Sequence, residues 1–109
     1  MIMTDIVLLP GDGIGPEIVE AVCDILDVAG ADLKYHTYDI GQTSYDKTGE
    51  LIPQETLEAI KKYKVALKGP VTTPIGKGFR SVNVNLRLAF DLYINLRPAY
   101  SIQNISKYK

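Results

Sequence analysis

The stretch that decides the fold is DIVLLPGDGIGP, residues 5–16. Its first five residues form a short, nearly continuous apolar run, which is typical of a strand buried on both faces of a parallel sheet. Pro10 and Gly11 end the run, and a proline followed by an acid at positions 16 and 17 is what the first turn of a helix prefers. Apolar residues then recur at helical spacing as far as Gly30, a natural C-terminal stop. The sequence therefore predicts a strand, a glycine-rich turn and a helix.

Further strands and a helix are predicted in the middle of the chain. Residues 33–38 alternate in polarity, which predicts a strand with one face less buried. Residues 41–53 are rich in turn residues and predict a long polar connection. Residues 54–63 carry acids early and lysines late, as a helix prefers, and residues 65–67 predict a third strand.

Regular structure is predicted to resume near Ser81. Ser81 is a suitable N-cap for a helix that reaches about Phe90, and residues 92–96 predict a fourth strand. Strands that alternate with helices favour an α/β architecture with a parallel sheet. Four strands make a narrow sheet, so the chain is predicted to be part of a domain.

Length and composition limit the class of protein. The chain has 109 residues, 46% of them hydrophobic and 23% charged, which is typical of one folded domain at most and not of a disordered or membrane-spanning chain. Cys23 is the only cysteine, so neither a disulfide framework nor a cysteine-based metal site is expected. The first ten residues do not resemble a signal or transit peptide, and a reducing cytoplasm is the expected compartment.

The charge is divided unevenly along the chain. Residues 1–60 hold twelve acids against two lysines, whereas residues 61–109 hold ten cations against the single acid Asp91. A basic half indicates an anionic partner, and nucleic acid is one candidate. The alternative is that the two halves fold together and neutralise each other.

A second polar segment, residues 68–87, combines two prolines and three glycines with four cations and five hydroxyl or amide side chains. Ser81 at a helix start offers a hydroxyl near free backbone N–H groups, an arrangement that binds anions. Asn83 and Arg87 are one helical turn apart, and Arg87 and Arg97 each carry a planar fork suited to a carboxylate. The segment is therefore predicted to hold a small polyanion. The alternative makes Ser81 only an N-cap and both arginines solvated surface residues.

Two other features have simpler interpretations. The glycines of residues 11–15 do not match the Gly-x-Gly-x-x-Gly fingerprint of dinucleotide-binding proteins, so a tight turn at a strand end is favoured over a pyrophosphate loop. His36, the only histidine, lies at an alternating position of the second strand. It is interpreted as a cross-strand or surface residue rather than a general base.

Four motifs together resemble the isocitrate and isopropylmalate dehydrogenase family. They are LPGDGIGPE at residues 9–17, LKGPVTTP at 67–74, RSVNVNLR at 80–87 and DLYINLRP at 91–98. The resemblance covers Asp5 to about Ala99, and the Thr-Thr-Pro loop followed by Ser-x-Asn-x-x-x-Arg is similar to the isocitrate branch. It implies the N-terminal part of an isopropylmalate dehydrogenase-like fold, a partial parallel-sheet α/β/α sandwich. Residues 1–99 would belong to the large α/β domain, and residues 100–109 would begin the connection to a missing second domain.

The same resemblance implies roles for particular residues. Substrate carboxylates would be bound by Ser81, Asn83, Arg87 and Arg97. The nicotinamide end of the cofactor would be approached by Ile14, Thr72, Thr73 and Asn83. Lys68 would be a catalytic residue that helps to polarise the substrate-side charge.

The implied activity is metal-dependent oxidative decarboxylation of isocitrate to 2-oxoglutarate with NAD or NADP. The alternatives are a sister dehydrogenase of homoisocitrate or isopropylmalate and a non-catalytic regulatory subunit of the family. Family members are longer, and the aspartates for Mg²⁺ or Mn²⁺, the tyrosine and lysine for proton transfer and the adenosine-binding loop would lie beyond this chain. The chain is therefore expected to be an N-terminal fragment with negligible activity alone and, when full length, a homodimer with no nucleic-acid or membrane partner.

Overall fold

The computed structural model describes residues 2–72, 74, 76 and 78–107. The elements follow one another as β1 (Thr4–Leu9), α1 (Gly15–Val28), β2 (Leu33–Thr37), α2 (Gln42–Thr48), α3 (Gln54–Tyr63), β3 (Ala66–Lys68) and α4 (Val82–Ala89). The predicted helices at 16–30, 54–63 and 81–90 and the first three predicted strands are confirmed. Thr73, which the resemblance places at the cofactor, lies outside the described residues.

The three strands form a parallel sheet in the order β2-β1-β3. β1 is central, with Thr4 to Leu8 paired to Leu33 to Thr37 on one side and Val7 to Leu9 paired to Ala66 to Lys68 on the other. Neighbours on both edges, and helices on both faces, explain why the run in β1 is continuously apolar. Ile6 and Val7, which point to opposite faces of the sheet, are both buried.

Helices lie on opposite faces of this sheet. Tyr35 of β2 donates a hydrogen bond to Asp27 of α1 (3.4 Å), so α1 covers one face. The next residue, His36, points to the other face and stacks on Tyr63 of α3, with 4.3 Å between ring centroids. The predicted α/β/α arrangement is therefore confirmed.

A hydrophobic core lies on the face of the sheet that α3 covers. It is formed by buried side chains from β1, the segments beside α2, α3 and the first turn of α4, namely Val7, Leu9, Ile40, Leu51, Ala59 and Val82. Val82 is fully buried, so its burial against this core fixes where α4 begins. The first turn of α4 is thereby anchored to the core.

The predicted polar connection over residues 41–53 is wrong in part, because it contains the seven-residue helix α2. No apolar stripe marks this helix in the sequence. Tyr45 packs against the core, and polar contacts with residues outside the helix also hold it. The backbone N–H of Gln42 donates to Asp12 (2.7 Å), and the buried Ser44 hydroxyl donates to the carbonyl of Glu50 (2.6 Å).

The predicted fourth strand over residues 92–96 is also wrong. This segment has no regular structure, and Tyr93 and Leu96 are 91% and 84% exposed. A strand needs a neighbour to satisfy its backbone, and residues 93–100 make no backbone hydrogen bond to any described residue. The radius of gyration of 16.0 Å exceeds the roughly 13 Å expected for a compact domain of this length, which agrees with an unpacked segment.

The described residues were also compared with the requirements of a membrane span. The longest helix among them is α1, with 14 residues. No described helix has the length and apolar character needed to cross a bilayer.

His36 lies across the strands from Asp5, as predicted. Its Nε2 is 2.7 Å from Oδ1 of Asp5 on β1. The hydrogen bond with His36 holds the pKa of Asp5 below its ordinary value of 3.8, and the nearby positive charges of His36, Lys34 and Lys62 act in the same direction.

This contact makes a prediction about acid stability. Because the folded state lowers the pKa of Asp5, the unfolded chain binds more protons near pH 4, and the contribution of Asp5 is present above pH 3.8 and lost as the pH falls through the lower folded pKa. We expect Asp5→Asn to lower the melting temperature of the complete protein at pH 6 and to have little effect at the acid end of its stable range. Thermal unfolding of both proteins over this pH range measures the difference. A deficit that does not depend on pH would contradict the assignment.

Candidate active site

The loops that follow β1 and β3 meet at one edge of the sheet. The backbone N–H of Gly69 donates to the carbonyl of Leu9 (2.8 Å), and the backbone N–H of Asp12 donates to the carbonyl of Pro70 (3.2 Å). Both loops leave the carboxyl ends of adjacent parallel strands, which is where ligands bind in open α/β sheets. This edge of the sheet is therefore the candidate ligand-binding site.

Glycines allow the two loops to approach this closely. A Cβ on Gly11 would overlap the carbonyl of Pro70, and a Cβ on either Gly15 or Gly69 would overlap the carbonyl of Pro10. Close contact between backbone segments thus explains the glycines at positions 11, 15 and 69. The prediction of a tight turn at the end of β1 is confirmed.

Asp12 connects three segments at this edge, and the sequence analysis gave it no role. Its side chain is only 8% exposed. The carboxylate accepts the backbone N–H of Gln42 (2.7 Å) and that of Thr72, which lies 2.8 and 3.0 Å from its two oxygens. An acid between two glycines at the end of the central strand was the available signal. Its importance depends on residues 30 and 60 positions away, which no local pattern reveals.

Lys68 ends β3 beside Leu9 of β1 and is partly buried. Its Nζ donates to the carbonyl of Gly69 (2.8 Å). Burial lowers the pKa of Lys68 below its ordinary value of 10.5, and the charge of Asp12 acts in the opposite direction. The predicted catalytic residue therefore lies at the same edge as Asp12, with a partly desolvated ammonium group.

Two of the residues expected at the cofactor also reach this edge. Thr72 is held through its backbone by Asp12, and Ile14 lies two residues after Asp12 in the same turn, with 66% of its surface exposed. The structure therefore places Ile14 and Thr72 on the two loops that Asp12 joins. Their contact with a cofactor stays a prediction.

The substrate residues predicted on α4 are exposed. Ser81 occupies the N-cap position, but its side chain makes no capping hydrogen bond, so the hydroxyl is free of the helix. Asn83 and Arg87 are both exposed and one turn apart on α4, as the i and i+4 spacing predicts. Arg97 is exposed in the irregular segment that begins at residue 92.

The ion pairs bear on whether the acidic and basic halves of the chain neutralise each other. Within the described part of the chain the pairs are Asp5 with His36 and Asp39 with Lys47, all from residues 1–60. No described arginine pairs with an acid, so direct neutralisation of the arginines by the acidic half does not occur there. An exposed Arg87 guanidinium on α4 with no acidic partner among the described residues favours an external anion.

The acidic, histidine and cysteine side chains of the described residues form no metal-binding cluster. No three side chains among their histidines, cysteines, aspartates and glutamates come close enough to hold an ion. The described residues therefore do not by themselves supply a complete ligand set for Mg²⁺ or Mn²⁺.

These observations define a parallel α/β protein in which the loops after β1 and β3 meet at one polar edge that includes Asp12 and Lys68. Residues 5–109 match the model of the isocitrate/isopropylmalate dehydrogenase family, and the chain belongs to that family. It is 46% identical over 95 residues to the chloroplastic 3-isopropylmalate dehydrogenase of Solanum tuberosum, covering 87% of this chain and 27% of the relative. It is 41% identical over 112 residues to the NADP isocitrate dehydrogenase of Archaeoglobus fulgidus, covering 96% and 27%.

A solved structure supports the same family. The crystal structure of isocitrate dehydrogenase from Methylococcus capsulatus aligns with a TM-score of 0.80 and 44% identity, covering 84% of this chain and 27% of that one. The chain thus spans about a quarter of the length of these relatives. Since isopropylmalate and isocitrate enzymes both match, the family is shown, whereas the expected isocitrate branch stays a prediction.

Proposed function

We propose that the complete protein containing this chain oxidatively decarboxylates isocitrate to 2-oxoglutarate, with NAD or NADP as hydride acceptor and with Mg²⁺ or Mn²⁺. The observation that carries the proposal is α4, where Ser81, Asn83 and Arg87 are exposed and Arg87 has no acidic partner among the described residues. A tricarboxylate needs several fixed donors and cations. Arg87 and Arg97 supply forks that bind carboxylates through two parallel hydrogen bonds.

The two loops at the strand ends would hold the nicotinamide end of the cofactor. Ile14 offers an apolar surface for one face of the ring, and Thr72 offers a hydroxyl on a backbone that Asp12 fixes. The cofactor would supply hydride acceptance there. The two loops would hold the nicotinamide ring, and α4 would hold the substrate. Together they would orient the substrate carbon that loses the hydride against the ring, which is the protein's main contribution to hydride transfer.

Lys68 would act on the substrate side of the same edge. Its ammonium group is partly desolvated, so its charge would act on a nearby carboxylate with less screening than in water. In this proposal Lys68 polarises the reacting end of the substrate, and the arginines hold the remaining carboxylates. The metal ligands and the proton-transfer groups would come from residues outside this chain.

A sister activity is the second candidate, because the potato relative acts by its name on 3-isopropylmalate. The two substrates differ in the group carried at the third carbon, a carboxylate arm or a branched alkyl group. The exposed Ser81 hydroxyl and the Arg87 guanidinium, which has no acidic partner among the described residues, both suit a carboxylate, whereas an alkyl group would leave these polar groups without a partner. We therefore favour isocitrate. The homodimer, the cytoplasmic location and the lack of nucleic-acid or membrane partners stay predictions.

Steady-state kinetics of the complete protein test this proposal. We expect NAD(P)H formation from isocitrate in the presence of Mg²⁺, with kcat/KM at least about 10²-fold above the values for isopropylmalate and homoisocitrate. A preference for either of these would assign the sister activity instead. No turnover of any of the three would contradict a catalytic role and favour the regulatory-subunit alternative.

A further inference from the structure

Asp12 joins the two loops of the proposed cofactor site, and both of its carboxylate oxygens are used. Oδ2 lies 2.7 Å from the backbone nitrogen of Gln42 and 3.0 Å from that of Thr72. Oδ1 lies 2.8 Å from the nitrogen of Thr72. The side chain thereby ties the turn after β1 to the start of α2 and to the loop after β3.

The surroundings of the carboxylate allow it little freedom. It is 8% exposed, and a Cβ built on Gly41 would come within 2.5 Å of its Oδ2. The same Cβ would lie 3.0 Å from the Cβ of Val71, so Asp12 and Val71 close over Gly41 together. Because the carboxylate is held this tightly, it fixes the position of the Thr72 loop relative to β1.

We propose that Asp12 is a positioning residue, which sets the Thr72 loop at the distance from the Ile14 turn that the nicotinamide ring requires. The inference rests on the proposed function, because it needs a cofactor at this edge. Asp12 itself contacts neither substrate nor cofactor in this arrangement. It acts through the backbone of Thr72.

An aspartate carboxylate suits this role better than the side-chain amide of an asparagine would. Two backbone N–H groups point at Asp12, and each of its oxygens is an acceptor. In Asp12→Asn one oxygen can still accept, but the NH₂ group would face an N–H donor. The loop would then shift to separate the two donors, whereas the volume of the side chain would hardly change.

The test compares Asp12→Asn with Thr56→Val in the complete protein. Thr56 is a matched control, since it is also buried and its hydroxyl donates one hydrogen bond to a backbone carbonyl, that of Asp39 (3.1 Å), away from the two loops. We expect Asp12→Asn to lower kcat/KM for NAD or NADP by about 10- to 100-fold, with KM for isocitrate changed less than about twofold. Thr56→Val should lower the melting temperature and leave both KM values unchanged.

The outcomes separate this inference from the proposed function. If the wild-type protein turns over isocitrate and Asp12→Asn changes only the melting temperature, as Thr56→Val does, the positioning role is overturned. If the wild-type protein shows no NAD(P)-dependent turnover, the proposed function fails and the cofactor role of Asp12 fails with it. Amide hydrogen exchange gives a readout without activity. We expect faster exchange at Gln42 and Thr72 in Asp12→Asn, and unchanged rates at both would overturn the inference.

Discussion

Replacing Arg87 by alanine in the complete protein should lower kcat/KM for isocitrate by about 10²- to 10³-fold, equivalent to roughly 3–4 kcal/mol. Arg87 is exposed on α4 and makes no ion pair with a described residue, so its fork is free for a carboxylate of the substrate. Two parallel charge-assisted hydrogen bonds to a fixed carboxylate account for a loss of this size. Steady-state kinetics with isocitrate varied at saturating cofactor measure it.

Two control variants show whether the fork itself matters. Arg87→Lys keeps the charge but loses the planar geometry, so it should fall between the wild type and Arg87→Ala. Lys61→Ala removes an exposed cation from the last turn of α3 and should leave the kinetics nearly unchanged. Since Arg87 is exposed, the melting temperature should change little in Arg87→Ala.

Arg97→Ala should lower kcat/KM for isocitrate severely as well. Arg97 is exposed in a segment without regular structure and makes no ion pair with a described residue. Its place near the substrate therefore rests on the family resemblance and not on the geometry. Near-wild-type kinetics for both arginine variants would contradict the proposed substrate site.

The central part of the fold could be predicted because its signals are local. The apolar run in β1, the proline at the start of α1 and the charge pattern of α3 each lie within one element, and each element forms where its pattern predicts. The spacing of Asn83 and Arg87 is equally local, because a helix fixes which residues share a side. These parts of the site could be predicted without knowing which residues from elsewhere in the chain lie beside them.

The features that could not be predicted from the sequence depend on contacts between residues far apart in the chain. α2 is stabilised at its start by Asp12, which is 30 residues earlier, and the Thr72 loop is held by the same side chain across 60 residues. The fourth predicted strand has the right local composition, but none of the strands in the described part of the chain lies beside it to complete its hydrogen bonds. A local pattern cannot report whether a partner is present.

The approach of the two loops makes the second large prediction. Replacing Gly69 by alanine should lower the free energy of unfolding of the complete protein by roughly 3 kcal/mol or more. The added Cβ would overlap the carbonyl of Pro10 and lie 2.7 Å from Cγ2 of Val19. The hydrogen bond from the Gly69 N–H to the carbonyl of Leu9 (2.8 Å) prevents the backbone from moving away without a further loss.

Gly30→Ala is the matched control for this glycine. Gly30 follows α1 with a φ of +81°, and a Cβ there would meet no atom within 4 Å. Its cost should be about 1 kcal/mol, because only the left-handed backbone conformation opposes alanine. Urea unfolding of both variants measures the difference. Equal, small losses of unfolding free energy in the two variants would show that the loops after β1 and β3 are not packed together. The proposed arrangement of Ile14, Lys68 and Thr72 at one edge of the sheet would then be wrong.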